Sequence, residues 1–126
     1  MMTYLLIGLG GVFGSVLRYT ISLVTANMWG SHFPFATLIV NIIGAFLLGF
    51  LTTYGNKLKE QYQLAIGTGA IGSFTTLSAI SGETMLLFNN GLYISAALYM
   101  LASVLGGLTA AFGGYTLGKK IVSDSA

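Results

Sequence analysis

The chain carries a polar, glycine-broken segment at residues 72–84, inside a stretch that is otherwise apolar enough to cross a bilayer. This segment has the sequence GSFTTLSAISGET, and it lies between Gln61 and Phe88. Irregular backbone and carboxylates are costly in hydrocarbon, and they persist there only when they are buried in protein or line a water-filled path. We therefore predict a functional site in this segment.

The composition places the chain in a membrane. Of its 126 residues, 55% are hydrophobic and only 6% are charged, whereas a soluble domain carries about 25% charged residues. The length allows one domain. The absence of cysteine excludes disulfides and thiolate metal sites, and a net charge of +2 gives no indication of nucleic-acid binding.

Hydropathy predicts four membrane spans, since about 20 residues are needed for each crossing. They cover residues 4–26, 35–54, 61–88 and 92–117. The expected fold class is therefore an all-α membrane protein, with residues 1–126 forming a single four-span domain. The third transmembrane helix is expected to be broken near Gly72–Thr76.

Lysines lie at only one side of the predicted spans. Lys57 and Lys59 are in the second connector, and Lys119 and Lys120 follow the fourth span. The opposite side has no lysine or arginine, only His32. Because cytoplasmic loops carry an excess of basic residues, we predict a multi-pass protein of the cell membrane with both termini in the cytoplasm.

Small residues recur at a spacing of four in the first and fourth spans. They include Gly10 and Gly14 in the first span, and Gly106, Ala110 and Gly114 in the fourth. Such a spacing lets helix backbones approach closely in lipid, where there is no hydrophobic drive for helices to associate. It predicts tight helix packing and an oligomer.

Arg18 and Asn41 are polar residues within the first two spans, and each has two interpretations. Arg18 is either a side chain that extends to the membrane interface or a fixed positive charge beside an anion path. Asn41 either joins two helices through hydrogen bonds or offers its NH2 group to an anion in place of water.

Polar residues in the third and fourth spans leave similar alternatives open. Tyr99 and Ser103 are one helical turn apart and share a face, which either packs in a core or lines a path. Glu83 is the only acid within a span, and it is expected to avoid lipid. It could pair with Arg18, cap a broken helix or hydrogen-bond along a pore.

The predicted break has its own chemical consequence, because an interrupted helix frees backbone groups. Carbonyl oxygens gathered at a break can bind a hard cation such as Na+. The N-termini of half-helices present N–H groups that suit anions.

Three motifs resemble those of the Fluc (CrcB) family of fluoride channels. The run GGVFGSVLRY at residues 10–19 resembles the GGxxGAxxRY opening of that family. The run PFATLIVNIIGAFLLG at residues 34–49 resembles its second-span motif, and GAIGSFTTLS at residues 69–78 is similar to its third-span motif GxxGGxTTFSTF. The resemblance covers all four spans in order, with the spacing intact.

The resemblance implies a dual-topology dimer, in which two subunits are inverted relative to each other in the lipid bilayer and enclose two narrow fluoride pathways. It also implies a structural Na+ at the dimer interface, held by the backbone carbonyls of Gly72 and Thr75. Asn41 matches the pore asparagine and Arg18 the span-one arginine. We expect six further polar residues at or near the pathway, either because they match the family's polar positions or because they carry hydroxyl groups. They are Thr37, Thr76, Ser78, Glu83, Tyr99 and Ser103.

Two departures from the family pattern favour a heterodimer over a homodimer. Leu77 and Ile80 occupy positions where the family has pore phenylalanines, whose positive ring edges can face an anion. The lysine bias is also unexpected for a chain that inserts in both orientations. We therefore expect a partner subunit that inserts oppositely and supplies the phenylalanines.

The predicted function is passive export of fluoride from the cytoplasm, which confers fluoride resistance. One alternative is a non-conducting structural partner subunit, since the pore aromatics are missing. Another is a cation antiporter of the small multidrug-resistance type, but that chemistry needs a carboxylate in the first span, where this chain has only Arg18. An enzyme is not expected, because the single histidine has no acid–base or nucleophile constellation around it.

Overall fold

The computed structural model describes residues 1–29 and 33–125, and within these ranges every regular secondary-structure element is helical. His32 and part of the predicted connector at residues 27–34 lie outside the described residues. The helical elements are α1 (Met2–Trp29), α2 (Phe35–Tyr54), a 3₁₀ turn (Gly55–Lys57), α3 (Glu60–Leu64), a π-helical segment (Ala65–Ile71), α4 (Gly72–Phe74), α5 (Leu77–Asn89) and α6 (Tyr93–Asp124).

Four of the helical stretches are long and apolar enough to cross a membrane. They are Met2–Met28, Phe35–Lys57, Glu60–Asn89 and Tyr93–Asp124. The predicted all-helical class, with four helices long and apolar enough to span a membrane, is therefore confirmed.

The helix of the fourth span, α6, extends further than the hydropathy of the sequence predicts. Helix α6 continues to Asp124, seven residues beyond the predicted end of the span at 117, so Lys119 and Lys120 are part of the helix. No proline follows Leu117 to stop it. Near its end, the Lys57 ammonium donates a hydrogen bond to the Ser125 hydroxyl, which places the second connector and the C-terminal segment at the same end of the bundle.

Glycines bring α2 and α6 into backbone contact, and these two helices form the most extensive helix pair. Gly49 of α2 faces the backbone of Ala111, and Gly114 of α6 faces the backbone of Phe46. A methyl group at either glycine would overlap a carbonyl of the other helix. The glycines therefore set the distance between the two axes, as the spacing of small residues in the fourth span predicts.

A second close approach joins α1 to the first half of the third span. Gly10 and Gly14 lie against the backbones of Ala65 and Ala70 in the π-helical segment. The backbone-to-backbone fit leaves no room for a side chain on either glycine. Helix α1 thus holds the segment that leads into the third-span residues 75 and 76.

The chain buries little apolar surface within itself. Its small core cluster consists of Leu87, Ala96 and Tyr99, with Phe33, Leu38 and Ile80 packed against it. Large apolar side chains such as Leu108 and Phe112 remain 66% and 69% exposed. An apolar surface of this extent is one that lipid or another protein covers.

We expect Gly114→Ala to destabilise the fold by about 1–3 kcal/mol, because its methyl group overlaps the Phe46 carbonyl and forces α2 and α6 apart. Gly107→Ala, in the same helix, is the matched control, since a methyl group there meets no atom within 4 Å. Thermal unfolding in detergent measures both variants. Equal losses at the two positions would contradict the proposed role of close packing.

Candidate functional site

The backbone leaves the helical conformation at Thr75 and Thr76, between α4 and α5. Their φ and ψ angles are −91° and 158° at Thr75, and −157° and 121° at Thr76. Thr75 remains tied to the preceding turn, because both its N–H and its hydroxyl donate to the Ile71 carbonyl at 3.0 Å. Thr75 and Thr76 are therefore both extended, although Thr75 keeps its hydrogen bonds to the preceding turn.

Asn41 on α2 meets the polar backbone groups of Thr76 with both ends of its carboxamide. The Thr76 N–H donates to Asn41 Oδ1 at 2.8 Å, and Asn41 Nδ2 donates to the Thr76 carbonyl at 3.1 Å. An extended residue points its N–H and C=O to the same side, as in a hydrogen-bonded antiparallel strand pair. One side chain therefore satisfies two backbone groups that would be costly if left unpaired in hydrocarbon.

Thr76 also caps the helix that follows the extended residues. Its hydroxyl oxygen accepts a hydrogen bond from the Ala79 N–H at 3.3 Å, and it lies 3.1 Å from Ser78 Oγ. A threonine at this position is a favourable N-cap. The cap begins α5 beside Asn41 and leaves the positive end of its helix dipole at the extended residues.

Glu83 accepts hydrogen bonds from two hydroxyl groups on neighbouring helices. Thr37 of α2 donates to Oε1 at 2.8 Å, and Tyr99 of α6 donates to Oε2 at 2.7 Å. Tyr99 is completely buried and Thr37 is 8% exposed. Within residues 1–29 and 33–125, Glu83 has no ion-pair partner. Its hydrogen bonds thus go to hydroxyl groups of α2 and α6 and not to Arg18. A role in hydrogen bonding along a pore stays a prediction.

Two cavities meet at Glu83. The first, of about 420 Å³, is lined by Arg18, Ser22, Thr37, Val40, Thr76, Ser78, Ala79 and Glu83. The second, of about 400 Å³, is lined by Ser22, Thr25, Ala26, Phe33, Pro34, Phe35, Ala36, Glu83, Leu86, Leu87, Asn90 and Leu92. Because Ser22 and Glu83 line both cavities, the two cavities adjoin. The lining of the first is mainly polar, whereas that of the second is mainly apolar.

The hydrogen bonds within the chain determine which groups still have a hydrogen free to donate in a hydrogen bond to an anion. The hydroxyl hydrogens of Thr37 and Tyr99 point at Glu83, and that of Ser103 points at the Tyr99 carbonyl, 2.8 Å away. Asn41 keeps one N–H, because a carboxamide has two and one is engaged by Thr76. Arg18 keeps its guanidinium donors, and the Thr76–Ser78 pair keeps one hydroxyl hydrogen.

Leu77 and Ile80, at the altered aromatic positions, lie in different environments. Leu77 is 77% exposed on the surface of the chain. Ile80 packs against the core cluster that contains Tyr99. Within this chain, therefore, Leu77 faces outward, whereas Ile80 is partly buried against the core cluster.

The third-span carbonyls suit a hard cation. The Thr76 N–H donates to Asn41, so the Gly72 carbonyl does not receive the N–H that an uninterrupted α-helix would supply. Gly72 is exposed, and a methyl group there would meet only the Gly67 carbonyl at 3.6 Å. Accessible carbonyl oxygens of this kind are the ligands that Na+ and other hard cations prefer.

Sequence reasoning did not single out Ser22, which lines both cavities, or Thr25, which lines the second. Ser22 follows Arg18 by four residues and donates to its carbonyl at 3.0 Å. Thr25 is only 7% exposed. The helical spacing of Arg18, Ser22 and Thr25 was a usable signal, since residues three or four apart share a helix face.

We expect Tyr99→Phe to lower the free energy of unfolding by about 1–2 kcal/mol, because the variant removes a buried hydrogen bond to Glu83. Tyr93→Phe is the control, since Tyr93 is 57% exposed. Denaturant titration in detergent compares the two. If Tyr99→Phe is as stable as the control, the hydroxyl–carboxylate bond does not stabilise the fold.

Comparison with known proteins identifies the family of the chain. Residues 5–115 match the family model described as CrcB-like protein, Camphor Resistance (CrcB). A protein of Bacillus cereus named fluoride-specific ion channel FluC 1 is 43% identical over 122 residues, which cover 94% of this chain and 89% of that protein.

Two further relatives carry the same name. The Bacillus anthracis protein is 45% identical over 118 residues, covering 91% of this chain and 86% of its own length. The Desulfitobacterium hafniense protein is 44% identical over 113 residues, covering 87% and 97%. All three relatives are named as ion channels, which is not an enzyme class. The resemblance found in the sequence motifs is thereby confirmed, and the chain belongs to the CrcB-like family.

Proposed function

We propose that the chain is a subunit of a fluoride-selective ion channel, which lets fluoride leave the cytoplasm down its gradient and so lowers its toxicity. The names of the relatives support this assignment. The structural observation that carries it is the cavity of about 420 Å³ beside Arg18 and the first turn of α5, within helices that are otherwise apolar. Polar cavities at membrane depth are characteristic of ion paths.

Fluoride is small and strongly hydrated, so a narrow path must replace its water with hydrogen-bond donors. In the proposed path these donors are the free N–H of Asn41, the hydroxyl pair of Thr76 and Ser78, and the N-terminal N–H groups of α5. Arg18 raises the local anion concentration in the same cavity.

Thr37 and Glu83 line the path beyond this donor cluster, and Tyr99 lies buried behind them. The carboxylate takes two hydroxyl hydrogens, which spreads its negative charge over three side chains. We propose that this arrangement, rather than direct donation by Thr37 or Tyr99, lets an acid border an anion path. Ser103 supports it by donating to the Tyr99 carbonyl.

The subunits of the proposed channel are inverted relative to each other, and the exposed apolar surface supports an assembly in the membrane. A heterodimer is favoured by the lysines at one end of the bundle and by Leu77, whose exposed side chain has no aromatic ring to offer. In this assembly the chain keeps both termini in the cytoplasm, and its partner inserts oppositely.

A structural Na+ at the interface of the two subunits is part of the proposal. The backbone carbonyls of Gly72 and Thr75 would hold the ion, because the first lacks its helical N–H partner and the second belongs to an extended residue. Within the described part of the chain no cluster of acidic or histidine side chains offers an alternative metal site. The ion would tie the two third spans together.

A non-conducting partner subunit is the second candidate function. It is favoured by one observation: Leu77 and Ile80 place no aromatic ring at either family position, and Ile80 is partly buried against the core cluster. An antiporter of the small multidrug-resistance type is not supported, since α1 contains Arg18 and no acid.

We expect the purified chain, reconstituted alone in liposomes, to release little fluoride, and to release it rapidly when reconstituted with an oppositely biased family subunit. The reason is that the proposed pathway needs rings that Leu77 and Ile80 do not supply. A fluoride electrode measures efflux, with chloride release as the selectivity control. Rapid, selective efflux from the chain alone would establish a homodimer and contradict the heterodimer, whereas silence of every pairing would contradict the channel.

We expect Arg18→Gln to slow fluoride efflux by about tenfold in the conducting assembly, because the variant removes the positive charge from the donor cavity. The loss should shrink as ionic strength rises, since salt screens the charge. Lys59→Gln is the control: it also removes one positive charge, but from an exposed residue of a connector. Equal effects of the two variants would place Arg18 outside the path.

A further inference from the structure

We infer that Asn41 is a positioning residue: its carboxamide holds the Thr75–Thr76 peptide so that the Thr75 carbonyl points away from α2, toward the proposed cation. The inference deepens the proposed function and depends on its Na+ site. It gives Asn41 a task separate from any contact with fluoride. Asn41 performs this task through two hydrogen bonds to the backbone N–H and C=O of Thr76. These bonds do not involve the Thr76 side chain.

The geometry of one peptide plane supplies the first step. The Thr75 carbonyl and the Thr76 N–H belong to the same peptide, and no peptide in the described chain is cis. In a trans peptide these two groups point in opposite directions. Since the Thr76 N–H points at Asn41 Oδ1 at 2.8 Å, the Thr75 carbonyl must point away from Asn41 and from α2.

The second hydrogen bond prevents this plane from rotating. The Thr76 carbonyl belongs to the next peptide, and it accepts from Asn41 Nδ2 at 3.1 Å. One rigid carboxamide therefore restrains the peptides on both sides of Thr76. Gly44, one turn along α2, adds a steric restraint, because the methyl group of Thr75 occupies the space where a side chain at residue 44 would lie.

The same hydrogen bond affects Gly72. In a continuous helix the Thr76 N–H would donate to the Gly72 carbonyl, but here it donates to Asn41. Helix carbonyls point toward the C-terminal end of the helix, so the Gly72 carbonyl is directed at the extended residues. Asn41 thus releases one proposed ligand and orients the other, as residues outside a metal's direct ligand set commonly do.

A labelling experiment isolates this one peptide. The sequence contains only two Thr–Thr pairs, Thr52–Thr53 and Thr75–Thr76. Chains labelled with 13C at the threonine carbonyl and with 15N at the threonine amide therefore give two one-bond carbonyl–nitrogen signals in solid-state NMR of vesicles. The Thr52–Thr53 signal, which comes from the last turn of α2, is the internal control.

Three variants separate positioning from other roles. Asn41→Leu removes both hydrogen bonds. Asn41→Asp keeps an oxygen that accepts from the Thr76 N–H, whether or not the acid is ionised. Asn89→Leu, at the exposed end of α5, controls for a general effect of replacing asparagine by leucine.

In the wild-type assembly, replacing N-methylglucamine by Na+ should shift the Thr75–Thr76 signal and leave Thr52–Thr53 unchanged. Asn41→Leu should move the Thr75–Thr76 signal before Na+ is added and raise the Na+ concentration for half-maximal response by about tenfold or more. Asn41→Asp keeps the bond from the Thr76 N–H but loses the Nδ2 donor. It should therefore change the Na+ response less than Asn41→Leu does, even where its added charge abolishes fluoride efflux. This combination would distinguish positioning from anion binding.

Two results would overturn the inference. One is an Asn41→Leu assembly whose Thr75–Thr76 signal and Na+ response match those of the wild type and of Asn89→Leu. The other is a wild-type Thr75–Thr76 signal that does not respond to Na+. If the same preparation still releases fluoride, the Na+ site is contradicted while the channel proposal stands. If Asn41→Leu does not fold, Asn41→Ala, which also removes both hydrogen bonds, takes its place, and an unchanged Thr75–Thr76 signal and Na+ response in that variant would overturn the inference.

Discussion

The backbone at Thr75 and Thr76 is the constraint on which the rest of the structure depends. Two extended residues within a membrane-spanning segment expose peptide groups that lipid cannot satisfy. Asn41 satisfies the N–H and C=O of Thr76, and the Thr76 hydroxyl caps the helix that follows. The interruption is therefore maintained by hydrogen bonds from α2 and from its own side chain.

Close helix packing makes that solution possible. Asn41 is a short side chain, so α2 has to approach the third span closely for the carboxamide to reach Thr76. The contact of Thr75 with Gly44 provides such an approach, and glycine contacts also bring α2 against α6. As a result, Thr37 and Tyr99 on those two helices both reach Glu83. Packing of small residues thus determines which polar groups meet.

Much of the architecture was accessible from sequence, because long apolar stretches in a chain with few charges have few alternatives to membrane helices. The four spans followed from hydropathy. The end of α6 could not be predicted from hydropathy, because the apolar stretch stops at residue 117 whereas the helix continues through the polar residues that follow, to Asp124. Polar residues inside spans, such as Arg18 and Glu83, could be recognised as candidates for a site, but their partners could not be assigned.

The sequence by itself predicted the membrane environment, the number of spans and the residues available for a polar path. It also showed that the lysines lie at one side of the predicted spans. Only the tertiary structure decided where each hydrogen points. Thr37 and Tyr99 donate to Glu83, and Ser103 donates to a carbonyl, whereas Asn41 keeps one N–H. The reason is physical. Residue type specifies how many hydrogen-bond donors a side chain has, but the direction of each donor depends on which acceptor atoms the helix packing brings to within about 3 Å of it.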